Sequence, residues 1–261
     1  ENAYAHAHKL TRESHQELIN NEWEEMARIA DSIPSSWIHN ALNHLKENGW
    51  GRTIATPYML HHVTQWNVNQ ASAILITTED VAETYSNGSD GFIFPNALIE
   101  SNAVIPLSER SQLHHCNGLH HIKNEYVRLT GKNPSESQFH ELYSCFPIAV
   151  RLQREAFELG KRPGTITGGM TFAGGPYNNF MLQGLSQLTK QVQESQTSGV
   201  ITSVSGMLTK QGLISLSAEQ PPSGMYLSDV SDKTQSRTDR MHIEPEMCGN
   251  AKVVSSTVSY S

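Results

Sequence analysis

Between Thr167 and Phe180 the chain reads Thr-Gly-Gly-Met-Thr-Phe-Ala-Gly-Gly-Pro-Tyr-Asn-Asn-Phe, and no other stretch constrains the fold as much. Paired glycines let main chain pass where a side chain would not fit. A loop of this kind opening a helix also turns backbone N–H groups toward whatever lies in front of it. Met181, Leu185, Leu188 and Val192 follow at helical spacing, and Gly199–Val204 then reads as a strand running into Ser203-Val-Ser-Gly206. Two readings of the Gly168-Gly169 and Gly174-Gly175 pairs stand. They cradle a thioester oxygen or a phosphate, or they let a strand and a helix pack tightly.

The elements around this loop indicate an α/β protein. Residues 13–30 carry apolar positions at helical spacing, with Leu18, Ile19, Trp23, Met26, Ala27 and Ala30 on one side; Pro34 and Ser35-Ser36 end the helix. A short helix is expected over 37–45, stopped at Asn48-Gly49, and a loop over 53–59 around Pro57. Ala71–Thr77 is small and β-branched and reads as a buried strand, followed by a short helix at 79–85 and a break at 87–91. A strand is expected over 92–100, bent or edged at Pro95. A helix over 114–129 should stop at Gly131, and residues 138–146 are strand-like. Pro147 suits the first turn of a helix carrying Ile148, Leu152, Ala156 and Leu159, closed by Gly160. The final strands are 199–204 and 212–216. Strands alternating with helices in this order make a layered sheet. Residues 218–239, polar and containing Pro221-Pro222-Ser223-Gly224, read as a linker, and 252–260 has strand character with no partner nearby.

Composition narrows the function. The 261 residues carry a formal net charge of −7, which disfavours nucleic acid as the main partner, and 37% hydrophobic content is enough for a core. No apolar run approaches the length of a membrane-spanning helix. The opening Glu-Asn-Ala-Tyr-Ala-His is polar, resembles no signal peptide and lacks Met, so a processed chain or a piece of a longer one is expected. Cys116, Cys145 and Cys248 are few and widely spaced, which fits reduced thiols in the cytoplasm better than a disulfide framework. His114-His115, His120-His121 and His61-His62 invite a metal reading. His114 and His121 lie two turns apart on a helix, however, and no carboxylate completes a ligand set, so no metal is expected.

Four segments in order carry a resemblance. They are Asn67–Leu75, Leu142-Tyr-Ser-Cys-Phe-Pro147, Thr167–Asn179 and Ser203-Val-Ser-Gly-Met-Leu-Thr-Lys210; Ile54–Met59 adds to the first. Together they resemble the thiolase superfamily, and within it the divergent thiolase-like proteins catalogued as acetyl-CoA acetyltransferases. The resemblance implies an α/β fold: a layered αβα C-terminal thiolase half with a mixed central sheet over residues 87–217. It implies the loop region and last strand of the N-terminal half over 1–86, and a linker with the start of an additional C-terminal domain over 218–261. It also implies truncation at both ends, with the nucleophilic cysteine in a missing N-terminal part. Acyl-CoA would be the substrate and coenzyme A the cofactor moiety, in lipid metabolism, with a homodimer as the compatible assembly.

A thiolase needs a thiolate that takes the acyl group, a histidine from Gly-His-Pro, a water-holding Asn from Asn-Glu-Ala-Phe, and a second cysteine from Cys-x-Gly that moves the α-proton. Here Gly-His-Pro reads Gly174-Gly175-Pro176, Asn-Glu-Ala-Phe reads Tyr143-Ser144-Cys145-Phe146, and the Cys-x-Gly segment reads Ser203-Val204-Ser205-Gly206. The candidate catalytic positions are therefore Ser144, Cys145, Gly175, Asn178, Asn179, Ser205 and Gly206, and the candidate CoA-facing positions are Gly168, Gly169, Gly174 and Pro176. Asn178 and Asn179 are either helix caps or an oxyanion donor in place of the lost imidazole. Cys145 is either a small buried filler or a thiol activated near a helix N-terminus. Two functions follow: an acyltransferase using a cysteine outside this chain, or a non-catalytic acyl-CoA or acyl-chain binding protein on the same scaffold.

Overall fold

The computed structural model describes residues 1–85, 91–253 and 255–260. The first helices are α1 (Asn2–Ala7), α2 (Arg12–Ala30) and α3 (Ala41–Asn48). Thr11 caps α2 by accepting from the Ser14 amide at 3.1 Å. Its buried stripe, Ile19, Trp23, Met26, Ala27 and Ala30, is the one its apolar spacing predicts. Asp31, just past its end, accepts from the Leu42 amide at 3.4 Å and so fixes where α3 begins. The segment expected as a loop around Pro57 folds into a hairpin of β1 (Thr53–Ala55) and β2 (Tyr58–Met59).

Then follow α4 (Glu79–Tyr85), β3 (Phe94–Ser101), α5 (Asn117–Thr130), β4 (Phe139–Glu141), α6 (Pro147–Ala156), α7 (Gly169–Phe172), α8 (Asn179–Ser195), β5 (Ser198–Ser205), β6 (Lys210–Ser217), β7 (Tyr226–Asp229) and α9 (Ser231–Arg237). The main sheet has the order β4-β5-β6-β3-β7. β4 is parallel to β5 and β7 to β3, while β6 runs antiparallel to both β5 and β3. The sheet is mixed, as the resemblance implies.

Alternation along the strands sends side chains to two different cores. Ala97, Ile99, Val200 and Leu213 meet Leu119, Ile122, Tyr126, Val150 and Leu152 of α5 and α6, and α2 closes this core through Trp23, Met26 and Ala27. Ile201, Ile214 and Leu216 turn the other way, toward Met181, Leu185, Leu188 and Val192 of α8. Beside α8, Leu98 of β3 lies in register with Leu227 of β7, and Leu227 stays 71% exposed. This face is therefore only partly roofed.

Three expectations need correction. Ala71–Thr77 is not a strand: it has no regular structure, and Leu75 and Ile76 are 89% and 82% exposed. Small and β-branched residues favour a pleated surface, but no described strand offers the segment a hydrogen-bonding neighbour. The strand expected over 138–146 is only Phe139–Glu141, because β5 pairs with just those residues. The stretch 218–239 is not free linker, since β7 extends the sheet beside β3 and α9 packs on α5 and β3.

Other features follow the chemistry. Pro95 sits at a register irregularity, beyond the residues that pair with β7. The chain end is not a lone strand: the Thr56 amide donates to Val258 O at 3.0 Å and the Tyr260 amide to Ile54 O at 2.9 Å, laying the end against β1. The break expected at 87–91 lies, apart from Gly91, outside the described residues. Among the described residues no helix is long and apolar enough to cross a membrane.

Candidate functional site

The glycine loop is held by a buried carboxylate. Glu141 ends β4 fully buried. It accepts from the Thr165 hydroxyl at 2.9 Å, the Ile166 amide at 2.9 Å and the Thr167 amide at 3.0 Å. Thr165 Oγ1 in turn accepts from the Gly168 and Gly169 amides, each at 3.0 Å. Burial pushes the Glu141 carboxyl up to about 7, against the donors from Ile166, Thr165 and Thr167 that favour its charged form. Ser144, also buried, accepts from the Met170 amide at 2.9 Å and ties the β4–α6 connection to the start of α7. Sequence reading missed Glu141. Its only local signal is a charge inside a strand-like run.

The four loop glycines face protein. Gly168 has φ +94°, and a Cβ there would lie 2.4 Å from Ala30 Cβ and 2.7 Å from Ala30 Cα, so the loop rests directly on the end of α2. Trp23 of α2 also donates its indole N–H to Thr171 Oγ1 at 3.0 Å. A Cβ on Gly169 would meet Met26 and Ser144, and one on Gly174 would meet Val68 and Trp37. Gly175 is closed by a segment more than a hundred positions upstream. A Cβ there would lie 2.7 Å from Thr64 Cγ2 and 2.9 Å from two Met170 carbons, and its amide donates to Gln65 O at 2.9 Å. The space a side chain at 175 would take is filled by Thr64 and Met170, and nothing local in the sequence marks Thr64 for that place.

A hollow of about 520 Å3 opens on the partly roofed face, beside the N-terminal half of α8. Leu98, Met181, Leu182, Ile201 and Ile214 give it apolar walls; Tyr143, Asn178, Ser203 and Ser205 bring polar groups, and Lys210 and Glu100 add charge. The structure thus brings Asn178 and Ser205 together, with Tyr143 and Ser203 beside them. Asn178 makes no side-chain cap for α8. Asn179 turns aside and donates to Gln70 Oε1 at 3.0 Å. Gly206 opens the β5–β6 turn, where its carbonyl accepts from the Thr209 hydroxyl at 2.7 Å. Pro176 is half-buried just before α8 and accepts from the Asn179 amide at 3.1 Å. Ser144, Cys145, Asn179, Gly206 and the loop glycines do not line the hollow.

Cys145 precedes α6, but burial pushes its thiol up to about 11, and the Phe146 amide and its own amide only partly offset that. Desolvation outweighs any lowering from the nearby helix N-terminus, in line with the buried-filler reading of this thiol. The Cys145 carbonyl accepts from the Thr64 amide and hydroxyl, both at 3.3 Å, so this residue also closes the upstream segment onto the loop. Neither a thiol nor an imidazole lines the hollow among the described residues. Its lining sets hydroxyl and amide groups against an apolar wall.

No family model and no curated protein matches this sequence. Solved structures do. The monomeric SCP2-thiolase like protein type 1 of Mycobacterium smegmatis superposes with a TM-score of 0.81 at 19% identity, over 99% of this chain and 58% of that one. The Ltp2-ChsH2(DUF35) aldolase superposes with a TM-score of 0.55 at 15% identity, over 83% of this chain and 61% of that one. The chain spans roughly three fifths of the length of both, and identities this low establish the fold alone. The mixed sheet, the glycine loop ahead of α8 and these superpositions lead to one identification: the chain has the thiolase-like fold.

Proposed function

We propose that the hollow beside α8 binds the acyl end of a coenzyme A thioester. The observation that carries this is the convergence of Tyr143, Asn178, Ser203 and Ser205 on one apolar-walled space. An acyl chain lies against Leu98, Met181 and Ile214, while the Asn178 amide and the Ser203 hydroxyl donate to the thioester carbonyl. A few placed donors in an otherwise apolar cleft is the usual make-up of a small-molecule site. This chain's contribution is recognition, because a serine hydroxyl is a far poorer nucleophile than a thiolate and, among the described residues, no thiol lines the space.

Acyl transfer is the second reading, with the nucleophile supplied from outside these residues. The observation that favours it is the coverage of only 58% of the fold relative. Equilibrium titration with acetyl-CoA and with free CoA tests the binding proposal. Tighter binding of the thioester than of free CoA is expected, with that preference lost in Asn178→Leu and Ser203→Val. No thioester binding, or a preference untouched by both substitutions, overturns it. Intact mass after incubation separates the two readings: an acyl adduct supports transfer, and binding without an adduct supports recognition alone.

A further inference from the structure

Gln153 of α6 and Thr202 of β5 are polar side chains that are fully buried. Burying such groups is costly unless their hydrogen bonds are met. Here they are met, and the partner they share is Tyr143. The Tyr143 amide donates to Thr202 Oγ1 at 3.0 Å. The Thr202 hydroxyl donates to Gln153 Oε1, with the Glu141 carbonyl farther off at 3.5 Å. Gln153 Nε2 then donates to Tyr143 O at 2.9 Å and to Ala149 O, one turn back in α6, at 2.7 Å. Tyr143, Thr202 and Gln153 thus form a closed ring of hydrogen bonds, in which each bond polarises the next.

The ring stands where strand pairing stops. β4 pairs with β5 only as far as Glu141 and Ile201. Tyr143 therefore has no ladder partner, and two side chains take both of its main-chain groups instead. Along β5, Val200 enters the core with α5 and α6 and Ile201 the core with α8, so Thr202 faces α6. The Tyr143 side chain lines the hollow on the α8 side, with its ring edge-on to Phe180 at a centroid distance of 6.0 Å. The hydrogen bonds are made on one face of the sheet, and the wall they hold stands on the other. Neither Gln153 nor Thr202 lines the hollow itself.

We propose that Gln153 and Thr202 are positioning residues for the hollow: they hold Tyr143 at the place from which the hollow grips an acyl thioester. The proposal rests on the reading of the hollow as an acyl-thioester site, and adds to it two residues that touch neither the ligand nor the space. Substitutions behind the sheet then act on the ligand through one tyrosine.

Fluorotyrosine incorporated into the full chain gives Tyr143 its own fluorine resonance, assigned by its loss in Tyr143→Phe. Thr202→Val and Gln153→Met are each expected to shift or broaden that resonance and to weaken acetyl-CoA binding roughly tenfold. Thr202→Ser keeps the hydroxyl and should hold both readouts at wild-type values. The pair Gln153→Met with Thr202→Val leaves no buried hydroxyl unmet and carries the same expectations if either single variant fails to fold. In a Tyr143→Ala background, Thr202→Val should weaken binding no further. An equal loss in that background overturns the proposal, because the effect then does not pass through Tyr143. An unmoved resonance in Thr202→Val and Gln153→Met overturns it as well, as does a moved resonance with acetyl-CoA binding unchanged. If the wild type binds no acetyl-CoA, the reading of the hollow falls, and the resonance still decides whether Gln153 and Thr202 place Tyr143.

Discussion

Glu141→Gln reads directly on how the glycine loop is clasped. Glu141 carries opposing effects: burial raises its carboxyl from 4.5 to about 7, while three donors favour its charged form. A carboxyl raised on folding keeps its proton longer in the folded state than in the unfolded one. Below pH 4.5 both states hold the proton and stability is at its full value. As pH rises toward about 7 the unfolded chain ionises first, and stability falls. Above that both states are charged and the loss levels off. Each pH unit of separation is worth about 1.4 kcal/mol, so the fall amounts to roughly 3 kcal/mol.

Glutamine keeps an acceptor for the Ile166 and Thr167 amides and cannot ionise. It adds a constant offset from its amide group facing Thr165, and removes the slope. Denaturant unfolding of both proteins at a series of pH values from about 4 to 8.5 gives two stability curves. Their difference isolates Glu141 from other titrating groups such as His62, which burial depresses to about 4. Wild type should lose roughly 3 kcal/mol relative to the variant between pH 4.5 and about 7.5. Either other result would refute the reasoning: a flat difference would show that the donors balance burial, and one that slopes the opposite way that they outweigh it.

Two further outcomes follow from the same contacts. Gly175→Ala should cost about 1–3 kcal/mol by overpacking against Thr64 and Met170, and pairing it with Thr64→Ser, which removes Cγ2 but keeps the hydroxyl on Cys145 O, should recover about 1 kcal/mol; strictly additive effects in a double-mutant cycle would show that Gly175 is not closed by Thr64. Peptide mass mapping after alkylation of the folded chain near pH 8 should show Cys145, with its thiol pushed up to about 11, labelled far more slowly than exposed Cys248, and equal rates would show that Cys145 is more open than its surroundings indicate.

How much of this was legible depended on whether a residue's partner was close in sequence. Helices α2, α5, α6 and α8 follow from apolar spacing and from Gly131 and Pro147, all local signals. The glycine pairs also announced themselves, but not what they face. Gly168 rests on Ala30 and Gly175 on Thr64, each more than a hundred positions away. Ala71–Thr77 has the composition of a strand and lacks a neighbour, which composition cannot supply. β7 has the reverse problem: Tyr226-Leu-Ser-Asp229 is short, exposes Leu227, and follows a Pro-Gly-rich run, yet β3 gives it a register. In the hollow, Asn178 and Ser205 were readable from the thiolase motifs. That Cys145 would be desolvated and Asn179 engaged by Gln70 was not, because burial and long-range pairing leave no local pattern.

The rear support of the glycine loop comes from α2, whose last turn takes up the volume behind Gly168 and whose tryptophan grips Thr171. The shape of the loop is thus moulded by a helix made early in the chain. Attempts to redesign binding by randomising residues 165–179 alone will mostly recover sequences that α2 already tolerates. New shapes there require the helix and the loop to be varied as one unit.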